Sequence, residues 1–390
     1  MAFLKCFRFK IRRRPKSVIV DHQDHDERRT GNGTIDGNWH ELDDPKRKDS
    51  GSVRIFAWHE VEMLTMNFSK LIGSGGFSTV YLAHFPGSRV GLGAVKIHVG
   101  SERLNQLFKL ELDILLRIHH GNIVKLLGYC DDRDQGALVL EYAPNGTLQE
   151  KLHGAERESP VLSWRSRMII AFQLAQALQY LHEQCTPQIV HGDIKASNIL
   201  LDEHLNCKLC DFGSAKMGFS AMVLPPSSSP YSSSSTSSPM RRKQVMLGSP
   251  GYTDPLYLKT GIASKKNDVY SFGVILLELV TGMEAFCSER GEFLTSVVRP
   301  RLSEVRALGA TKVAEMVDPR LAGDYDLEEA RSILSLANLC LGQSPILRPS
   351  ATSILQTAKE NISSVSCLFS PEKFGSVTKS AASGLSHHDR

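Results

Sequence analysis

The chain has 390 residues, 41% of them hydrophobic and 23% charged, an ordinary globular composition. Its formal net charge of +4 gives no argument for nucleic acid as a partner, and its 8 cysteines lack the spacing of a disulfide framework or a zinc site. Free thiols suit a reducing cytosol, and no apolar run reaches the roughly 18 residues a membrane-spanning helix needs.

Residues 1–55 are rich in Arg, Lys, Asp, His and Gly and lack apolar periodicity, so a mostly disordered tail is expected. Near its start Lys5, Arg8, Lys10, Arg12, Arg13, Arg14 and Lys16 surround Cys6, with Phe3, Leu4, Phe7 and Phe9 interleaved. A basic, aromatic patch with an acylatable cysteine suits an anionic membrane leaflet, at about 1 kcal/mol per basic residue. Met1-Ala2 lacks the glycine that myristoylation requires, which leaves Cys6 as the lipid site. The same run also reads as a nuclear localisation signal or a solvated tail. It has no continuous apolar core of the kind a secretory signal carries.

Residues 56–67 lead into a compact domain expected over 68–359. Short β-like runs come first, at 68–72, 80–84 and 94–99, separated by Gly-rich turns. Between the first two lies Ile72-Gly73-Ser74-Gly75-Gly76-Phe77-Ser78-Thr79-Val80. So little side-chain bulk lets backbone N–H groups approach phosphates closely. The segment does not fit a P-loop, which needs Lys-Ser/Thr straight after the last glycine. A helix is expected over 104–118, with Leu104, Leu107, Phe108, Leu115 and Ile118 on one buried face. Glu111 falls on that face, and an acid there needs a buried cation. Lys96, in Ala94-Val95-Lys96, is the candidate cation. Strands at 126–129 and 137–142 precede a break at Pro144-Asn145-Gly146.

Beyond residue 143 the pattern turns helical. Residues 164–182 are amphipathic, and 269–280 read as a buried helix. The fold class is therefore α+β, a bilobal chain with a strand-rich lobe over 68–143 and a helical lobe over 144–359. The second lobe contains His191-Gly192-Asp193-Ile194-Lys195-Ala196-Ser197-Asn198, followed by Asp211-Phe212-Gly213. Cys207 and Cys210 read as two small residues in the strand leading to Asp211. Residues 225–239 are almost entirely Ser and Pro, and an insertion over 219–243 is expected to be mobile. A flexible tail is expected over 360–390.

Together these polar residues suit phosphoryl transfer, which asks for positioned positive charge around phosphates and one acceptor at the attacking hydroxyl. Asp193 would accept or orient the hydroxyl proton, and Lys195 would neutralise charge on the γ-phosphoryl group. Asn198 and Asp211 would hold Mg²⁺, a hard cation that prefers oxygen. Lys96, held by Glu111, would meet the phosphates under the Gly-rich cover.

The stretches IGSGGFSTVYLA, AVK, HGNIVKLLGYC, LVLEYAPNGTL, IVHGDIKASNILLD, KLCDFG, GSPGYTDP and KNDVYSFGVILLELVTG resemble the plant receptor-like kinase family, related to the animal Pelle and interleukin-receptor-associated kinases. With no receptor domain in view, the chain is similar to the cytoplasmic branch. The resemblance implies a bilobal protein kinase fold, ATP and Mg²⁺, and transfer to protein Ser/Thr hydroxyls in signalling. It also implies protein substrates, a membrane receptor complex as partner, and a cytoplasmic location with peripheral contact at the inner face of the plasma membrane. It makes Leu140 the gatekeeper and Glu141-Tyr142 the hinge. Val80 and Ala94 would lie above the adenine and Leu200 below it. Ser249 stands where the family usually has Thr, and Asp268 would brace the catalytic loop. Lys195 resembles the Ser/Thr rather than the Tyr kinases.

Three departures matter. Ser78 replaces the third glycine of the phosphate loop and fits if its backbone stays extended. Gly192 replaces the arginine usual before the catalytic aspartate, the non-RD pattern, so the common charge switch on a phosphorylated activation segment loses a partner. Leu256 replaces a glutamate that normally pairs with an arginine, here Arg348. A lone buried Arg348 is costly, so another acid must meet it or it must reach water. These departures also motivate a rival reading, a pseudokinase scaffold that binds ATP or partner receptor kinases with little turnover. Intact Lys96, Glu111, Asp193, Asn198 and Asp211 argue for the enzyme.

Overall fold

The computed structural model describes residues 53–368, apart from 76–77, 88–90, 100–101, 133–134, 155–159, 219–247 and 303–308. The basic segment around Cys6, the Ser/Pro-rich run, and Gly76 and Phe77 of the Gly-rich loop lie outside the described residues.

The first lobe is one six-stranded sheet with a helix against each face. Strand β1 (Arg54–Ile55) and helix α1 (Trp58–Leu64) come first, then β2 (Leu71–Ser74), β3 (Thr79–His84), β4 (Leu92–Val99), helix α2 (Glu102–Leu115), β5 (Leu126–Asp132) and β6 (Gln135–Glu141). The sheet order is β1-β5-β6-β4-β3-β2, antiparallel except for the parallel β1–β5 pair. Alternation along β4 divides the faces. Val95 and Ile97 pack with Val139, Phe85 and, from the lead-in segment, Phe56, Val61 and Leu64. Ala94 packs on the other side with Leu140 and Leu138 in the main core. The lead-in segment is thus part of the domain: a Cβ on Gly128 would lie 2.3 Å from the Phe56 ring and 2.5 Å from the Arg54 carbonyl oxygen.

The helix expected over 104–118 runs from Glu102 to Leu115, with Phe108, Glu111, Leu112 and Leu115 buried. The expected first strand is displaced. Met66, Asn67 and Phe68 have left-handed backbones, and the strand begins only at Leu71. That turn ends α1 and swings the chain back across the sheet, and propensity in 68–72 carries no trace of it.

The second lobe starts with α3 (Leu148–His153), capped by Thr147 and Glu150 in a reciprocal box. Helix α4 (Trp164–Gln179) follows and runs on as a π-helical turn over Tyr180–Gln184. Short strands β7 (Ile189–Val190), β8 (Ile199–Leu201), β9 (Cys207–Leu209) and β10 (Lys216–Met217) frame the central loops. Helices α5 (Pro255–Thr260) and α6 (Lys265–Thr281) come next, α6 buried over Asp268–Thr281. A hydrophobic helix has no solvent face to offer, so α6 is the post around which this lobe packs. The hairpin β11 (Phe286–Cys287) and β12 (Glu292–Phe293), then helices α7 (Leu294–Leu302), α8 (Ala310–Ala314), α9 (Leu327–Cys340) and α10 (Ala351–Asn361), complete it. Ordered chain continues past residue 360 as a 3₁₀ helix over Ser363–Leu368. Among the described residues no helix is long and apolar enough to cross a membrane.

Candidate active site

Three charged side chains meet between the lobes. Lys96 on β4 donates to Glu111 of α2 at 2.7 and 2.8 Å and to Asp211 at 2.8 Å. Glu111 is the acid on the apolar face of α2, 1% exposed, and Lys96 is the cation that meets it. Burial alone would lower the Lys96 ammonium, but Glu111 and Asp211 more than offset this and hold it above the ordinary lysine range. Burial likewise pushes Glu111 up, and Lys96 brings it below the usual carboxylate range. Glu111 also accepts the Phe212 N–H at 3.2 Å, which ties α2 to the Asp211-Phe212-Gly213 turn. Asp211 is left-handed at φ 65°, and its side chain is 44% exposed, which leaves an oxygen open to the cleft. Burial favours its neutral form, yet Lys96 holds the carboxyl down to about 2.

The register places the candidates Val80, Ala94 and Leu140 on one face of the six-stranded sheet, with Leu200 in a separate hairpin. Val80 pairs with Lys96, Ala94 with Leu140, and Leu200 of β8 bridges to Thr147 below. Ile72 lies at a register shift in the same hairpin, between Leu71, which pairs with Tyr81, and Gly73, which faces Val80; Ser74 faces Thr79. Gly75 donates to the Ser78 carbonyl at 2.9 Å and closes the turn. Ser78 is not among the left-handed residues, so serine stands there without strain. Glu141 accepts the Lys125 N–H at 2.8 Å and pairs with Lys208 of β9 at 3.1 Å, so the strand-to-lobe crossing at Glu141-Tyr142 is held from both sides.

The catalytic loop hangs from α6. Asp268 accepts the backbone N–H groups of His191 and Gly192, both at 2.8 Å, and contacts the His182 ring at 2.8 Å. His191 packs edge-on against Phe212, 4.8 Å between centroids. Gly192 sits at φ +80°, and a Cβ there would lie 2.9 Å from the Ser214 carbonyl oxygen. The backbone thus gives a reason for glycine here that is independent of charge. Asp193 accepts from Lys195 at 2.7 Å and from the Ser249 hydroxyl at 2.8 Å, and Lys195 also donates to Ser249 at 3.0 Å. Asn198 donates to the Asp193 carbonyl at 2.9 Å, which turns its amide oxygen away as a free acceptor. That oxygen and the open oxygen of Asp211 are hard donors of the kind Mg²⁺ takes.

Two supporting connections had no signal in the linear chain. The Ala196 N–H reaches the Tyr252 hydroxyl at 3.3 Å, and Tyr252 donates to buried Glu278 of α6 at 2.9 Å. Arg348 meets Asp254, at 2.5 and 3.1 Å, rather than the missing glutamate at position 256. Cys207 is a buried free thiol, pushed by burial up to about 12, and Cys210 is a half-buried one.

A two-lobed fold with Lys96, Glu111, Asp193, Asn198 and Asp211 gathered at its cleft defines a protein kinase. The protein kinase domain model matches residues 66–358. A probable receptor-like protein kinase of Arabidopsis thaliana is 53% identical over 332 residues, 84% of this chain and 93% of its own length. The salt tolerance receptor-like cytoplasmic kinase 1 of Oryza sativa subsp. japonica is 50% identical over 325 residues, covering 82% and 84%. A probable LRR receptor-like serine/threonine-protein kinase of Arabidopsis thaliana is 39% identical over 306 residues, but only 31% of its length is covered. The chain belongs to the protein kinase family and groups there with the plant receptor-like kinases. The pseudokinase alternative finds no support.

Proposed function

We propose that the protein is an active serine/threonine kinase that moves the γ-phosphoryl group of MgATP to protein hydroxyls from this cleft. The observation that carries the reading is the joined set of Lys96, Glu111 and Asp211 beside Asp193, Lys195 and Ser249. Lys96 binds the phosphates, and Glu111 keeps its ammonium from folding onto the sheet. Asp193 orients the substrate hydroxyl and takes its proton. Lys195 faces the transferred group with positive charge. Ile72 to Val80 cover the phosphates; Ala94, Leu140 and Leu200 enclose the base, and the Glu141-Tyr142 backbone fixes its edge. Asn198 and Asp211 would hold Mg²⁺, which when bound neutralises charge on the phosphate oxygens. The non-RD reading of Gly192 supports activity that does not depend on a phosphorylated activation segment. A membrane receptor complex and inner-leaflet contact through Cys6 and its basic neighbours complete the proposal, on the strength of the tail composition.

The test is phosphate incorporation into casein from MgATP, with Asp193→Asn as control. Transfer by the wild type that falls by at least about 100-fold in the variant is expected for loss of the base. Equal silence from both proteins, with ATP still bound, would end the enzyme reading.

A further inference from the structure

One buried carboxylate that the transfer reaction does not use holds the chain beyond α10. Glu329, in the first turn of α9, is 2% exposed and accepts four hydrogen bonds. Its Oε1 takes the Ser363 hydroxyl and the Ser364 N–H, both at 2.6 Å. Its Oε2 takes the Ser364 hydroxyl at 2.8 Å and the Trp164 indole N–H at 2.7 Å. Burial raises the Glu329 carboxyl, but these donors bring it below its ordinary range. Ile362 and Val365 are buried beside the same contact, so the 3₁₀ segment lies against α4 and α10.

Three of the four donors belong to two adjacent serines. Ser363 is exposed and Ser364 half-buried. The segment is a single 3₁₀ turn after the last α-helix, so its opening exposes Ile362 and Val365 but breaks no α-helix.

We propose that Ser363 and Ser364 form a phosphorylation site of this kinase, and that phosphate there releases residues 362–368 from Glu329. The proposal rests on the kinase reading above. In the transfer the seryl O–H bond and the bond from Pγ to ADP break, and Oγ bonds to Pγ. ADP leaves, and the proton passes to solvent by way of Asp193. The product has no hydroxyl proton left for Glu329. It places a charge of about −1.5 to −2 where a donor stood, beside a carboxylate that now accepts at 2.6 and 2.8 Å. A hydrogen-bonded anchor becomes a like-charge contact with a desolvated acid.

Full-length protein is incubated with MgATP and its phosphates are mapped by mass spectrometry, alongside casein phosphorylation. Phosphate at Ser363 or Ser364 is expected, and none in Asp193→Asn. Hydrogen exchange over residues 362–368 should quicken by about tenfold or more on phosphorylation and in Ser363→Asp/Ser364→Asp. Adding Glu329→Gln to that pair should restore protection, because the amide can donate to the aspartates and still accept from Trp164. Normal casein phosphorylation with both serines unmodified overturns the proposal and leaves the kinase reading standing. Absence of transfer to casein and of any phosphate overturns the kinase reading. Unchanged exchange in the phosphorylated protein, or failure of Glu329→Gln to restore protection, overturns the release.

Discussion

Removing the Asp254 carboxylate should destabilise the domain more than any exposed change in the same helix. Asp254 and Arg348 are 2% and 1% exposed at their side chains and share two charge-assisted contacts. Breaking one partner of a buried pair costs about 3–5 kcal/mol, because the other charge stays behind without water. In Asp254→Ala, Arg348 keeps the Gly342 and Lys266 carbonyls at 2.8 Å and the Tyr270 ring at 5.1 Å, which favours the lower end. Asp254 also caps α5 through the Leu256 N–H at 2.9 Å, and losing that cap adds about 1 kcal/mol. With the pair at its lower end of about 3 kcal/mol, the total is about 4 kcal/mol, and at about 2 °C per kcal/mol the melting temperature should fall by roughly 8 °C. Leu256→Glu, at a position 39% exposed, should stay within about 0.5 kcal/mol of wild type. Asp254→Ala with Arg348→Met should recover much of the loss, since no buried charge remains. Urea denaturation followed by circular dichroism reads these three variants and a fourth, Asp254→Ala with Leu256→Glu. A loss below about 1 kcal/mol in Asp254→Ala, or full rescue by Leu256→Glu, would refute the assignment of Asp254 as the partner of Arg348.

Gly192→Ala should cost about 1–2 kcal/mol, because the left-handed backbone penalises any Cβ and the Ser214 oxygen crowds it; a neutral result in denaturant would contradict the strain argument. Asp211 has a depressed pKa, so its contribution to stability is complete above its ordinary value of 3.8 and is lost as pH falls toward about 2. Its carboxyl ¹³C resonance should therefore stay at the ionised shift at pH 4, where an unshifted aspartate is already about half protonated. Phosphatase treatment should leave most casein phosphorylation intact, since Gly192 offers no guanidinium to an activation-segment phosphate; loss of turnover would show that another cation reads the switch.

Much of the cleft was readable along the chain because its parts are local. The Gly-rich hairpin, Lys96 in its strand, and the loop from His191 to Asn198 each lie within a few residues, where backbone conformation follows from residue type. Glu111 was legible for a different reason: an acid on the buried stripe of an amphipathic helix announces an absent partner. Periodicity also placed most strands to within a few residues. It misplaced the first one, because the left-handed turn at Met66 to Phe68 is imposed by α1 packing across the sheet.

Partners distant in sequence were out of reach. Arg348 could be seen to need an acid, but Asp254 lies 94 positions away, and only packing of the turn at Pro345–Leu347 against the start of α6 brings them together. The same holds for Glu278 beneath Tyr252 and for Glu329 beneath Ser363 and Ser364. Residue types and spacing decided the reaction, since phosphoryl transfer needs a fixed set of charges. Tertiary packing decided which buried charges meet, because one acid can serve any cation the fold carries within about 3 Å, and spacing does not encode that distance.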